Sequence, residues 1–463
     1  MSYRLENSHL LKNILNASFL KGWSNKNFNT KLDAEYKESS LELYVTSDCG
    51  QNCSYCYLQQ YKDRIYPSAI RNRSTILQNL RIIMNSVVHD WPNLKKIDIF
   101  SGELLGTPFG YEILDVILEA KRNGANFLNL VIPSNFSFIT SIEDTKRIQW
   151  YIDEFAKIGT AMRLSASLDG IVIDEICRSF NDKSLNALRD QNFYDRAFDF
   201  AKKNTLCFHP MLSAPMMKYW IENVDWFFQQ CKKFDMNFLE RIMMLEVRNA
   251  DWTEESIENY KKFLWHYNED LVINNLFNGD DEKYGSMIFG YDIPGFKRPS
   301  GYHNHMIPHH NKTISCSVCT QLTVRLGDLA ICPCHRTAYD ELIYGKFVVE
   351  NDRIVDIDGY NPTLAAKILL MNQRTCYHGC DVCWNKEFCI YGCFGSQYEN
   401  GQEIFMPIPN VCNMLQQKTK TLFDICEKHH SLDYAKNSNF EISKPIITQY
   451  ENLSKNLHSL QGE

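Results

Sequence analysis

The run Leu41-Glu-Leu-Tyr-Val-Thr46 leads, past Ser47 and Asp48, into Cys49-Gly-Gln-Asn-Cys53-Ser-Tyr-Cys56-Tyr57. The first six residues form a largely apolar run, extended in character, and predict a strand. The thiols that follow are spaced Cys-x3-Cys-x2-Cys on the loop leaving that strand. Thiolates bind soft metals and iron–sulfur clusters. Three ligands are one too few for a closed tetrahedral zinc site, and no His lies near enough in sequence to be an obvious fourth. A cubane held by three Cys leaves one iron open to a small molecule. The competing readings are part of a zinc knuckle and a loop with unrelated cysteines.

Working outward, strand-like and helix-like patterns alternate from residue 41. The expected strands are Leu41–Thr46, Lys96–Phe100, Phe127–Pro133, Met162–Leu168, Leu206–Leu212 and Asn237–Val247. Each is followed by a helical pattern: Ser74–His89, Tyr111–Asn123, Ile142–Ile158, Ser184–Lys203, Met216–Phe234 and Trp252–Tyr267. Ile76, Leu80, Ile83 and Val87 show the helical spacing. Alternation of this kind argues for a parallel sheet with right-handed crossovers. Six units are too few for a closed eight-fold barrel, and active residues of such folds lie at strand C-termini.

Motifs at the strand ends agree. Ile97-Asp-Ile-Phe100 runs into Ser101-Gly102-Glu103; the third strand ends in Pro133-Ser134-Asn135; the fourth ends in Ser165-Ala-Ser167-Leu-Asp169-Gly170, with Arg178 beyond. The sixth ends in Glu246-Val-Arg248, charges that either face a cavity or pair at the rim. The triad and these segments resemble the radical S-adenosylmethionine (SAM) superfamily. That resemblance implies an α/β fold with a partial, TIM-like (β/α)6 barrel over residues 41–277. It also implies a [4Fe–4S] cluster on Cys49, Cys53 and Cys56, its open iron chelating SAM and its electron cleaving SAM to a 5′-deoxyadenosyl radical. Gly102 and Glu103 match the family's Gly-Gly-Glu motif for the SAM amino group, with Ser101 in place of the first Gly. Asn135, Ser167 and Arg178 are the further SAM-binding candidates. For Ser134, Asn135 and Asp169, turn chemistry is the alternative.

Ten of the 17 cysteines lie between Cys316 and Cys412. Cys316 and Cys319, Gly327 at the turn of an expected β-hairpin, then Cys332, Cys334, Cys380, Cys383, Cys389, Cys393 and Cys412 resemble the SPASM pattern. SPASM domains are small C-terminal extensions of radical SAM enzymes that hold two auxiliary [4Fe–4S] clusters, which makes three clusters in all. The family's interleaving assigns Cys380, Cys383, Cys389 and Cys412 to the distal cluster. It sends Cys393 back to Cys316, Cys319 and one of the rivals Cys332 and Cys334, the family's Cys-His pattern favouring Cys334. Paired zinc ribbons are the alternative. The implied organisation is an N-terminal extension (1–40), the barrel (41–277), a bridging segment with His303, His305, His309 and His310 (278–312), the SPASM domain with its hairpin and short helices (313–425) and a tail (426–463).

Over 463 residues the net charge is −7, which argues against a nucleic-acid-binding surface. No long apolar run suggests export or a membrane span. An odd, unevenly placed set of cysteines without an export signal suits reduced thiolates in the cytoplasm. The resemblance implies a maturase that modifies a ribosomally made peptide or protein, drawing electrons from a flavodoxin or ferredoxin. One alternative is a sulfatase maturase forming formylglycine. In that family an Asp follows the hairpin cysteine as base; here Pro333 follows Cys332 and His335 follows Cys334. The other is a non-catalytic iron–sulfur electron carrier.

Overall fold

The computed structural model describes residues 39–92, 94–299, 306, 322–359, 361, 363–364, 367, 376–389, 392–437 and 444–461. The N-terminal extension up to residue 38, Cys316, Cys319 and the four histidines of the bridging segment lie outside the described residues. In chain order the strands are β1 (Ser39–Thr46), β2 (Gln51–Cys53), β3 (Leu94–Ser101), β4 (Asn129–Ser134), β5 (Ala161–Ala166) and β6 (Arg178–Phe180). They continue with β7 (Cys207–Phe208), β8 (Met211–Leu212), β9 (Leu245–Glu246), β10 (Leu322–Arg325), β11 (Ala330–Cys332), β12 (Gly345–Glu350) and β13 (Arg353–Asp358). The chain forms two compact units.

The first unit comprises Met1–Ser167, Cys177–Ala197 and Ser315–Gln373. Its strands run in the order β13-β12-β11-β10-β1-β3-β4-β5. β1 pairs in parallel with both β3 and β10, and β3, β4 and β5 continue in parallel. Leu41, Leu43, Tyr44 and Val45 are fully buried, as a central parallel strand covered on both faces requires. The helix Arg73–His89 starts where Asn72 accepts from the Thr75 N–H, and buries Ile76, Leu80, Ile83 and Val87. Each such side chain contributes about 1.5–3 kcal/mol.

The expected hairpin forms as β10–β11 and belongs to this same sheet. A Cβ at Gly327 would fall 2.3 Å from Ile70 O, so no side chain fits there. Arg325, almost wholly buried, fastens the hairpin. It donates to both Asp328 carboxylate oxygens, to Asp340, and to the carbonyls of Ile65 and Ala338. Those five bonds use the whole donor set of a guanidinium.

The second unit comprises Leu168–Ile176, Phe198–Ile314 and Arg374–Glu463 and is largely helical. Here three expected elements change. The strand expected over Leu206–Leu212 is cut into β7 and β8, where Pro210 offers no N–H to a ladder. In Asn237–Val247 the Asn237 side chain accepts from the Leu239 N–H and starts a short helix, Phe238–Arg241; only Leu245–Glu246 is strand, parallel to β8. The helix expected over Trp252–Tyr267 is α-helical over Glu254–Trp265 and continues as a π-helix over His266–Leu276. Beyond residue 426 the helix Lys444–Gln461 buries Tyr450, Leu453 and Leu457. Among the described residues no helix is long and apolar enough to cross a membrane.

Candidate functional site

Cys49, Cys53 and Cys56 lie on the loop that leaves β1, at the end of β2 and at the N-cap of the helix Tyr57–Ile65, all half-buried. The Gln51 N–H points at Cys49 Sγ, 3.4 Å away, and the Cys56 N–H closes a turn onto Cys53 O. Burial pushes the Cys49 thiol up to about 12; the Gln51 hydrogen bond opposes this and the nearby Glu103 charge adds to it.

β3 ends against this loop. Gly102 N donates to Thr46 O, and Glu103 N to Asp48 O. A Cβ on Gly102 would stand 2.0 Å from Asp48 O, so only glycine permits the approach. Glu103 is buried, and its carboxylate accepts from Asn135 N at 2.5 Å, Leu105 N at 2.9 Å and Ser134 Oγ at 3.1 Å. Burial raises it to about 7, although those donors and the Arg178 charge pull the other way. Asn135 Nδ2 lies 3.9 Å from Cys49 Sγ, and the Ser167 N–H donates to Ser134 O. Arg178 is buried opposite Cys53 in the β2–β6 pair, donating to Tyr55 Oη at 2.8 Å and Gln51 Oε1 at 3.3 Å. The first unit thus joins the triad with Gly102, Glu103, Asn135, Ser167 and Arg178. Asp169, in the second unit, accepts from the Met211 N–H, a contact between segments 42 residues apart.

Four buried polar atoms around the triad have no hydrogen-bond partner among the described residues: the hydroxyls of Tyr44, Ser47 and Tyr57, and Gln51 Nε2. All four can donate, and Gln51 Nε2 can only donate, which suits a bound group that accepts hydrogen bonds. Sequence reasoning missed Glu42. It is buried in β1 and receives the His335 N–H at 3.1 Å and Thr323 Oγ1 at 3.0 Å, with His335 Nδ1 at 2.9 Å. Burial opposes its charge, but His335 and these hydrogen bonds outweigh burial and lower its pKa. The His335 ring stacks on Phe100 with centroids 3.5 Å apart.

The remaining cysteines divide. Cys332, in the first unit, is fully buried with Sγ 3.8 Å from Thr323 O, and burial drives its thiol well above the usual range. Cys334 lies past the strand end, half-buried, its Sγ 3.3 Å from Thr337 Oγ1. In the second unit one cavity is lined by Cys380, Cys383, Cys389 and Cys412, with Leu415 and Gln416 beside them. Gln416 Nε2 approaches Cys383 Sγ at 3.6 Å. Cys393 caps the helix Phe394–Gly401. Among the described residues no three thiol, imidazole or carboxylate groups converge at the spacing of a single metal ion. Thiolates holding a cubane sit on separate irons and have no such common centre.

No family model matches the chain, and no curated protein does. Solved structures do. Histidine-tagged anSMEcpe, an anaerobic sulfatase-maturating enzyme with bound AdoMet, aligns at 14% identity over 89% of this chain and 98% of its own, with a TM-score of 0.55. This chain shares that enzyme's fold. Native anSMEcpe with AdoMet aligns at 15% identity over 86% of this chain and 100% of its own, TM-score 0.53. Native anSMEcpe with AdoMet and a Cp18Cys peptide aligns at 14% over 86% and 99%, TM-score 0.52. The shared fold therefore extends over most of the chain.

Proposed function

We propose that this chain is a radical SAM maturase acting on a peptide or protein. The observation that carries the reading is the contact chain from Cys49 through Asn135, Glu103 and Ser134 to Ser167, which unites a three-thiol loop with the ends of β3, β4 and β5. Cys49, Cys53 and Cys56 are the cluster ligands. The four groups without partners can donate to a group whose sulfides accept hydrogen bonds, and a thiol as buried as Cys49 ionises only against positive charge. When bound, the cluster supplies the electron that cleaves SAM to the radical that abstracts hydrogen from substrate. Glu103 is aimed by three donors and short of positive charge, which suits it to the SAM ammonium. Arg178 and Ser167 are assigned to the carboxylate or ribose.

Cys380, Cys383, Cys389 and Cys412 are assigned to one auxiliary [4Fe–4S] cluster, as the cavity they share supports. Cys316, Cys319, Cys334 and Cys393 are assigned to the other. Cys334 is preferred to Cys332 because Cys332 is buried inside the hairpin. A flavodoxin or ferredoxin is the electron donor in this reading. Anaerobic reconstitution followed by reduction with dithionite and SAM tests it: 5′-deoxyadenosine forms, and the absence of that product refutes it.

A second reading, formylglycine formation on a sulfatase, is favoured by the likeness to anSMEcpe over 89% of the chain. A Cys- or Ser-bearing sulfatase peptide that becomes reactive to a hydrazide probe supports it. Crosslinking within a co-encoded short peptide, without aldehyde, supports the first.

A further inference from the structure

Cys412 stands in the first turn of the helix Pro409–Lys428, and Gln416 one turn further along it. Residues at that separation share a helix face. Both line the cavity that also holds Cys380, Cys383 and Cys389. From this face the Gln416 amide donates from Nε2 to Cys383 Sγ at 3.6 Å, within reach of an N–H···S hydrogen bond. Among the described residues the amide has no other hydrogen-bond partner.

The facing loop is held in register with the helix. Asn385, almost wholly buried, donates from Nδ2 to Leu415 O at 3.2 Å, and its own carbonyl accepts the Cys389 N–H at 2.9 Å. The Cys383 carbonyl accepts the Lys386 N–H at 3.2 Å. The turn from Cys383 to Cys389 is thus fastened to the helix at the residue before Gln416. The amide is aimed at Cys383 by contacts in which it takes no part itself.

Taking Cys380, Cys383, Cys389 and Cys412 as the ligands of an auxiliary cluster, as proposed above, we propose that Gln416 is a positioning residue that hydrogen-bonds the Cys383 sulfur and raises the reduction potential of that cluster. Reduction adds negative charge that the ligand sulfurs share, and an N–H aimed at one of them favours the reduced state. Hydrogen bonds to sulfur are among the factors that set a cluster's potential. Gln416 does not ligate iron; it acts through the thiolate that does.

The test uses the full chain, reconstituted anaerobically, as wild type, Gln416→Met, Gln416→Glu and Gln417→Met. The cluster is followed through a redox titration by the EPR signal that disappears when Cys380 and Cys383 are changed to Ser. All three variants should keep wild-type iron. In Gln416→Met, which fills the space without a donor, the reduction equilibrium should fall about tenfold, a potential about 59 mV more negative for one electron. Gln416→Glu puts an acceptor-only carboxylate in the same place and should shift the same way, at least as far. Gln417→Met, next on the helix and outside the cavity lining, should leave the potential unmoved. Unmoved potentials in both Gln416 variants, or an equal shift in Gln417→Met, overturn this proposal alone. Loss of iron from this site in Gln416→Met overturns it too, because the amide would then build the site rather than tune it. A wild-type protein with zinc at these cysteines, or with no EPR signal that depends on Cys380 and Cys383, overturns the auxiliary-cluster reading and this proposal together.

Discussion

Replacing Lys418 with methionine would leave the Glu246 carboxylate buried without its neighbouring cation. Glu246 ends β9 with its side chain 4% exposed; Lys418, on the helix Pro409–Lys428, is 14% exposed and pairs with it. Tyr260 donates to the same oxygen at 2.7 Å. Burial acts against the charge, but Lys418, Arg248 and the hydrogen bonds outweigh it and hold the carboxyl at about 2. Lowering a glutamate from its ordinary value to there corresponds to about 3 kcal/mol of stability. Removing one partner of a buried pair independently costs about 3–5 kcal/mol. For a unit of this size that is a melting temperature about 6–20 °C lower.

The sign with pH follows. In the wild type the folded value is depressed, so the contribution is complete above the ordinary glutamate range and lost as pH falls toward 2. In Lys418→Met, Arg248 and the Tyr260 hydrogen bond remain but the largest opposing charge is gone, so burial shifts the value upward and folding of the variant is penalised increasingly as pH rises through it. Anaerobic thermal melts followed by circular dichroism between about pH 5 and 8 should show a gap from wild type that widens upward. The double variant Glu246→Gln/Lys418→Met, with no buried charge, should regain most of the loss. A variant within a degree or two of wild type, or a gap that narrows as pH rises, would refute the reasoning.

Other outcomes follow from the site. Changing Cys49, Cys53 and Cys56 together to Ala should abolish 5′-deoxyadenosine formation while about eight of about twelve irons remain. Glu103→Ala strands the Asn135 and Leu105 N–H groups and should weaken SAM binding about tenfold or more by calorimetry, the loss of a charge-assisted bond of about 1.5–3 kcal/mol. Changing Cys380 and Cys383 to Ser should remove about four irons and spare SAM cleavage; loss of zinc instead would identify a zinc ribbon. Arg325→Met, which leaves Asp328 without its buried cation, should cost about 3–5 kcal/mol in denaturant unfolding.

The parallel part of the sheet was legible because β1, β3, β4 and β5 carry apolar runs that end in recognisable turn residues. The convergence of Cys49, Cys53 and Cys56 on one loop was legible because the three thiols are local. Asn237–Val247 misled because its apolar residues suit either period over so short a span; the Asn237 cap decided for helix. Glu246 was visible as a charge at a strand end, but not as a buried pair, since Lys418 lies 172 residues away. The Glu42–His335 contact spans 293 residues and leaves no local trace. Long-range polar pairs depend on topology, which spacing alone does not encode.

Arg325 has a consequence for how the protein is assembled. Its guanidinium ties the end of the helix that begins after Cys56 to the segment that follows Cys334. The third thiol of the triad and the hairpin thiol are thus held by one rigid clasp formed without any metal. If Cys56 and Cys334 each take part in holding iron, as proposed, neither thiol needs metal at the other to be positioned, and loading should show no obligatory order. On the proposed reading, iron lost to oxygen should be restored to a chain with an intact clasp without a denaturation step, which iron analysis before and after reconstitution would check.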